Sequence, residues 1–156
     1  MDIQLMSALG KAGAAAALCL AAVGSALGTG TAGMAAIGAW KKAYAQNKNA
    51  QFILITFIGA PLSQTIYGLI LMNMMLGISE QALANGADFL NWPAMLVAGI
   101  AGGAAMGASS WFQGKAGAAA SDALGETGQG FGNYLLTIGI VETVALFVMV
   151  FVQGTF

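Results

Sequence analysis

Charged and metal-binding side chains are scarce in this sequence. The chain of 156 residues has no histidine, a single cysteine (Cys19) and only 7% charged residues, whereas 58% of its residues are hydrophobic. Because soluble domains carry about 25% charged residues, this composition predicts a protein that is almost entirely embedded in a membrane. The lone cysteine excludes an intramolecular disulfide. The shortage of histidine and cysteine also excludes the usual zinc and transition-metal sites.

Basic charge is equally scarce. The five basic residues are all lysines, and the formal net charge is −1. This excludes the basic surface that nucleic-acid binding requires. No G-x-x-x-x-G-K-[ST] phosphate-binding loop occurs, so the sequence does not predict ATP hydrolysis by this chain.

Four long apolar segments remain, at about 8–40, 51–78, 93–120 and 131–154. Each can cross a bilayer, which takes about 20 residues in a helix, and none shows the alternation of a membrane strand. We predict an all-α membrane protein with four transmembrane helices. The first segment exceeds the apolar core of a signal peptide, which is about 7–15 residues, so we interpret it as a membrane helix.

The four predicted helices are of two kinds. The first and third are rich in glycine and alanine, and Gly99, Gly103 and Gly107 recur every four residues in the third. Small residues at this spacing let helix backbones approach closely within a membrane. The second and fourth helices carry bulky Leu, Ile, Phe, Met and Val side chains. We therefore predict an inner layer formed by the first and third helices and an outer layer formed by the other two.

This alternation indicates an internal duplication. Residues 32–40 align with 113–121, and residues 63–68 align with 141–146, each pair in helices of the same kind. We predict two tandem hairpins, spanning residues 1–78 and 79–156. In this alignment Gln64 takes the position of Glu142.

The connections between helices predict the orientation. Lysines crowd the first connection (Lys41, Lys42 and Lys48), whereas the second has none. By the positive-inside rule, loops 41–50 and 121–130 are cytoplasmic and both termini lie outside. Lys115, one helical turn from the second of these loops, is expected to extend its ammonium to that surface.

Glu142 is the only charged residue between Phe131 and Phe156 and lies near the middle of the fourth apolar segment. A carboxylate at that depth costs at least about 2.5–3.5 kcal/mol and usually marks an ion or proton pathway. Gln113 and Glu142 are equidistant from the centre of their connection, so an antiparallel hairpin places them at the same depth. Gln64 lies near the midpoint of its own helix, at a similar depth.

Oxygen atoms surround this predicted position. Pro61 should kink the second helix and expose backbone carbonyl oxygen. Ser63 adds a hydroxyl, and Gln64 and Gln113 add amide oxygens. Hard oxygen ligands around one negative charge favour a monovalent cation such as Na⁺. Two alternatives stay open: Glu142 could carry a proton, or the glutamines could simply join helices by hydrogen bonds worth about 0.6 kcal/mol each.

At these residues the chain resembles the duplicated four-helix proteolipid of V-type rotary ATPases, subunit K, in its sodium-translocating bacterial branch. The matching motifs are APLSQTIYG (60–68), QGKAGAAA (113–120) and IVET (140–143). Ser63 stands where that branch has threonine and keeps the hydroxyl, and Thr65 stands where it often has glycine.

The resemblance implies a role for each residue. Glu142 would carry the ion, and Gln64, Ser63, Gln113 and the Ala60 carbonyl would supply further oxygens. The Tyr67 hydroxyl would lock the carboxylate. The implied ligand is Na⁺ or alternatively H⁺, with no covalent cofactor.

The resemblance also implies the assembly and its location. Identical chains would form a closed rotor ring in the bacterial cytoplasmic membrane, beside a stator subunit that bears a cationic residue. Central-stalk subunits would contact the cytoplasmic loops, and other subunits would hydrolyse or synthesise ATP. A small four-helix drug exporter is a further alternative, but such chains are shorter and place the carboxylate in the first helix.

Overall fold

The computed structural model describes all 156 residues and is helical throughout apart from short connections. Helix α1 comprises Ile3–Ala45, α4 comprises Trp92–Thr127 and α5 comprises Phe131–Val152. The second span, Phe52–Ala84, is built from several pieces. These are a 3₁₀ turn at Phe52–Leu54, α2 at Ile55–Gly59, a second 3₁₀ turn at Ala60–Leu62 and α3 at Ser63–Ala84. A last 3₁₀ turn, Gln153–Thr155, follows α5.

Four helical stretches are long and apolar enough to cross a membrane, which confirms the predicted all-α fold with four transmembrane helices. With α1 at 43 residues and α4 at 36, they measure about 65 and 54 Å at 1.5 Å per residue. The hydrocarbon core of a bilayer is only about 30 Å thick. Both helices therefore extend beyond the membrane.

The predicted loop boundaries at 41–50 and 121–130 were wrong, because the helix that precedes each loop continues into it. Helix α1 runs on to Ala45 and α4 to Thr127. Exposed lysine, alanine and glutamate side chains are compatible with a helix that projects into water. The helices end where the backbone turns left-handed, at Asn47 (φ 54°) and at Gly128 (φ 69°). Lys115 accordingly lies more than three turns inside α4, and not one turn from a loop as predicted.

Helices α1 and α4 form the closest contact in the molecule, as the glycine spacing predicts. A side chain at Gly99 would collide with the backbone of Gly13, and one at Gly107 would collide with the backbone at Leu20. Gly103 likewise faces the carbonyls of Ala16 and Ala17. Backbone therefore packs directly on backbone along this pair, as small residues permit in membranes.

The second span and α5 lie outside this pair. Within α5 only Ile138 and Ala145 are buried, whereas bulky residues such as Leu136, Ile140 and Phe147 are exposed. Gly68 of α3 fits closely against Ala21 of α1. The structure thus has the predicted inner layer of small residues and outer layer of bulky ones.

The second span is interrupted at Pro61. The α-helical pattern stops at Gly59, gives way to the 3₁₀ turn Ala60–Leu62, and resumes at Ser63. Proline causes this break because it has no N–H and crowds the carbonyl four residues earlier. The interruption lies directly before Ser63 and Gln64, and so positions the polar residues of the next section.

Candidate ion-binding site

Glu142 lies at the centre of α5 and is half-buried between that helix, α3 and α4. Two side chains donate hydrogen bonds to its carboxylate. The Tyr67 hydroxyl from α3 donates to Oε1 at 2.7 Å, and Gln113 Nε2 from α4 donates to Oε2 at 3.2 Å. Hydrogen bonds to a charged acceptor are among the stronger ones in proteins. Side chains from two neighbouring helices therefore hold the carboxylate in place.

Gln113 connects Glu142 to the second span. Its side chain is fully buried, and its Oε1 accepts a hydrogen bond from Gln64 Nε2 at 2.7 Å. Its Nε2 also contacts the carbonyl oxygen of Ile138 at 3.3 Å, one turn before Glu142. Gln64 is fully buried as well. The two glutamines thus form a polar bridge between α3 and α5 through the interior of the protein.

Ser63 extends this bridge to the break in the second span. Its Oγ lies 3.1 Å from the Ala60 carbonyl oxygen and 3.2 Å from Gln64 Oε1. Its single proton can serve one of these acceptors at a time. Among the predicted ligands, Gln113 touches Glu142 directly. Gln64 is linked to Glu142 through Gln113. Ser63 is linked through Gln64, and the Ala60 carbonyl is linked through Ser63.

Two further residues that sequence reasoning missed join the site. Ser109 Oγ donates to the Val141 carbonyl at 2.9 Å, and Ser110 Oγ donates to the Pro61 carbonyl at 2.6 Å. These adjacent serines of α4 therefore bind the backbone of α5, which carries Glu142, and that of the second span at its break, just before Gln64. Their position one turn before Gln113 was a usable signal, because residues three and four apart share a helix face.

The arrangement gathers oxygen atoms around a single negative charge. Glu142 is the only acidic residue in it, and no group of three or more His, Cys, Asp or Glu side chains occurs in the structure. Divalent cations usually require more carboxylates. The chemistry of the site therefore favours a monovalent cation or a proton.

One part of the chain is similar to a known protein family. Residues 96–152 match the family model that describes the C subunit of ATP synthase. The match covers a little more than a third of the chain and includes Gln113 and Glu142, whereas Gln64 and Tyr67 lie outside it. No curated protein matches the chain. Members of that family are non-catalytic and form oligomeric rings.

Proposed function

We propose that this chain is the duplicated proteolipid, subunit K, of a V-type ATPase or ATP synthase, and that each chain carries one Na⁺ on Glu142. The observation that carries this proposal is the fixed carboxylate in the middle of α5. Its oxygens lie 2.7 Å from the Tyr67 hydroxyl and 3.2 Å from Gln113 Nε2. A bound cation would neutralise the one negative charge at this depth.

Neutralisation explains how such a site can move within a membrane. A bare carboxylate in the hydrocarbon core costs at least about 2.5–3.5 kcal/mol, whereas a carboxylate paired with a cation has no net charge. Each loaded chain could then rotate past lipid, and a cationic residue on a stator subunit would release the ion. Moving one elementary charge across a membrane potential of 100 mV releases about 2.3 kcal/mol. Several ions must therefore cross for each ATP that is synthesised.

The two buried glutamines favour Na⁺ over a proton. A proton needs only the carboxylate and a hydrogen-bond partner, and Tyr67 already supplies one. Gln64 makes no direct bond to Glu142 but is fully buried beside Gln113. Two neutral amide oxygens close to the carboxylate are more than a proton requires. A dehydrated alkali cation, in contrast, needs several hard oxygen ligands besides the one negative charge.

The proposal also includes the number of ions that each chain carries and the partners of the chain. Residues 1–78 and 79–156 are proposed to be duplicated hairpins, with Gln64 in the place that Glu142 holds in the second, so each chain has one ion-carrying carboxylate in the membrane. Identical chains would close into a ring in the bacterial cytoplasmic membrane. The ends of α1 and α4 at Lys42 and Glu126, which form an ion pair, would face the cytoplasm and the central stalk, with both termini outside.

Carbodiimide labelling of Glu142 tests the proposal, because the reagent attacks a protonated carboxyl group. At fixed pH, millimolar NaCl should slow labelling, whereas an equal concentration of a large organic cation should not. Glu142→Gln should abolish labelling at this position. Labelling that is indifferent to sodium would refute the Na⁺ assignment and favour a proton-translocating ring of the same fold.

A further inference from the structure

Ser25 of α1 begins a chain of hydrogen bonds that leads to the break in the second span. Its side chain is buried, with 2% exposure, and its hydroxyl has a single hydrogen-bond partner, Ser110 Oγ of α4, at 3.3 Å. A serine in a helix often bonds instead to the carbonyl four residues earlier in its own helix. The Ser25 hydroxyl is therefore committed to the neighbouring helix.

The protons of these two hydroxyls determine the direction of the chain. Ser110 is fully buried, and its Oγ lies 2.6 Å from the Pro61 carbonyl oxygen. A hydroxyl has one proton to donate, and the short bond to Pro61 uses that of Ser110. Ser25 is then the donor in its bond to Ser110. A hydroxyl that accepts one hydrogen bond donates a stronger one, so Ser25 strengthens the bond that holds Pro61.

Backbone contacts bring α1 against the same break. A side-chain carbon at Gly28, one turn after Ser25, would lie 2.8 Å from Pro61 Cβ and would collide with the Ser110 carbonyl. Pro61 is itself fully buried. Helix α1 therefore packs directly on the break and also reaches its carbonyl through Ser110.

The chain of hydrogen bonds crosses α4 one turn before Gln113, which binds the Glu142 carboxylate. It ends in the 3₁₀ turn Ala60–Leu62. The Ala60 carbonyl and the Ser63 hydroxyl, two of the proposed cation ligands, belong to this turn and to the residue after it. The backbone of the turn sets the direction of both oxygens, so a bond that fixes its carbonyl also fixes them.

We propose that Ser25 is a positioning residue of the candidate ion site. Through Ser110 it holds the Pro61 carbonyl, and it thereby keeps the break in the conformation that turns the Ala60 and Ser63 oxygens towards the cation. This role rests on the proposed cation site and adds to it a residue of the first helix. Ser25 touches neither the carboxylate nor a glutamine, so it should affect cation affinity without changing the protonation of the carboxylate.

Sodium protection of Glu142 against carbodiimide is the first test, on the full-length chain in lipid membranes. Ser25→Ala should raise the half-protecting sodium concentration about two- to fourfold. This is the lower part of the range for one neutral hydrogen bond, because the bond to Ser110 is long for two hydroxyls. Without sodium, the pH dependence of labelling should stay the same. Ser7→Ala should change neither quantity; Ser7 is an equally buried serine of the same helix whose hydroxyl makes no hydrogen bond.

The combination with Ser110→Ala decides whether Ser25 acts through Ser110. In that background the Ser25 hydroxyl has no acceptor and no connection to Pro61, so Ser25→Ala should have no further effect on sodium protection. The two substitutions should therefore be strongly non-additive, as expected for residues of one hydrogen-bonded network. Independent effects that multiply in the double variant would overturn the proposal.

The Pro61 carbonyl can also be observed directly, because the chain has only two prolines. With proline labelled by ¹³C at the carbonyl, solid-state NMR gives one signal from Pro61 and one from Pro93. Pro93 lies in the first turn of α4, about 25 Å along that helix from Ser110, and is the internal reference. Ser25→Ala should shift the Pro61 signal in the same direction as Ser110→Ala but by less, and should leave the Pro93 signal in place. A Pro61 signal that does not move in Ser25→Ala would overturn the proposal.

The outcomes separate this inference from the ion assignment. If sodium does not protect the unmodified chain, the Na⁺ assignment fails and the positioning role falls with it. If sodium protects the unmodified chain and Ser25→Ala behaves like Ser7→Ala, only the role of Ser25 is overturned. A change in the pH dependence together with the sodium dependence would indicate a general loosening of the helices, which likewise overturns that role.

Discussion

Replacement of Gln113 by leucine is the most informative test of the candidate site. Leucine has a similar volume but removes the donor to Glu142 Oε2 and the acceptor of the Gln64 amide. A hydrogen bond to a charged group is worth about 1.5–3 kcal/mol. In the proposed site Gln113 also offers its amide oxygen to Na⁺, which leucine cannot replace. Taking the lost ion–amide contact at the same worth, we expect sodium affinity to fall about 10- to 150-fold at 1.36 kcal/mol per factor of ten. The buried Gln64 amide, left without its acceptor, adds to the loss.

The assay is the sodium concentration that halves the rate of carbodiimide labelling at Glu142. Ser121→Ala is the matched control, because Ser121 is a fully buried polar residue of the same helix whose hydroxyl bonds only to the Gly117 carbonyl. It should leave the half-protecting concentration unchanged. The reasoning fails if Gln113→Leu assembles normally and the half-protecting sodium concentration stays within twofold of the original.

Three further predictions concern the carboxylate lock, the helix contact and the break in the second span. Tyr67→Phe removes the 2.7 Å bond to Glu142, so we expect about a tenfold loss of sodium protection, measured by the same labelling. Gly99→Ala forces a side chain into the α1 backbone, whereas Gly30→Ala enters open space. Gly99→Ala should lower the free energy of unfolding by about 1–3 kcal/mol, and Gly30→Ala should raise it by about 0.5–1 kcal/mol. Equal thermal unfolding midpoints for the two variants would contradict this. Ser110→Ala removes a buried bond to the break and should weaken sodium protection by about 2- to 12-fold; Ser110→Thr should restore part of it.

The fold was predictable because each sequence signal for it depends only on distances along the chain. The length of an apolar run gives the number of membrane spans, and glycines at every fourth position indicate a close helix contact. Equal distance from a connection gives depth, which is why Gln113 and Glu142 could be placed at one level before their 3.2 Å contact was known.

Rotation about the helix axes and the ends of the helices were harder to predict. Whether Gln64 contacts Glu142 directly or through Gln113 depends on how the helices are rotated about their axes. The length of an apolar segment does not determine that rotation. Ser109 and Ser110 were missed because serine in a membrane helix often bonds within its own helix, as Ser121 does. The loop boundaries were wrong because polar residues mark the membrane surface, whereas a helix ends only where its backbone geometry changes.

The glycine contact between α1 and α4 has a mechanical consequence. Side chains are the compliant parts of a protein interior, because they can change rotamer under load. Between Gly13 and Gly99, or Leu20 and Gly107, there is almost no side chain to yield. The two longest helices should therefore resist sliding past each other and move as one rigid unit. A force applied near the membrane-embedded carboxylate should then reach their projecting ends with little deformation between them.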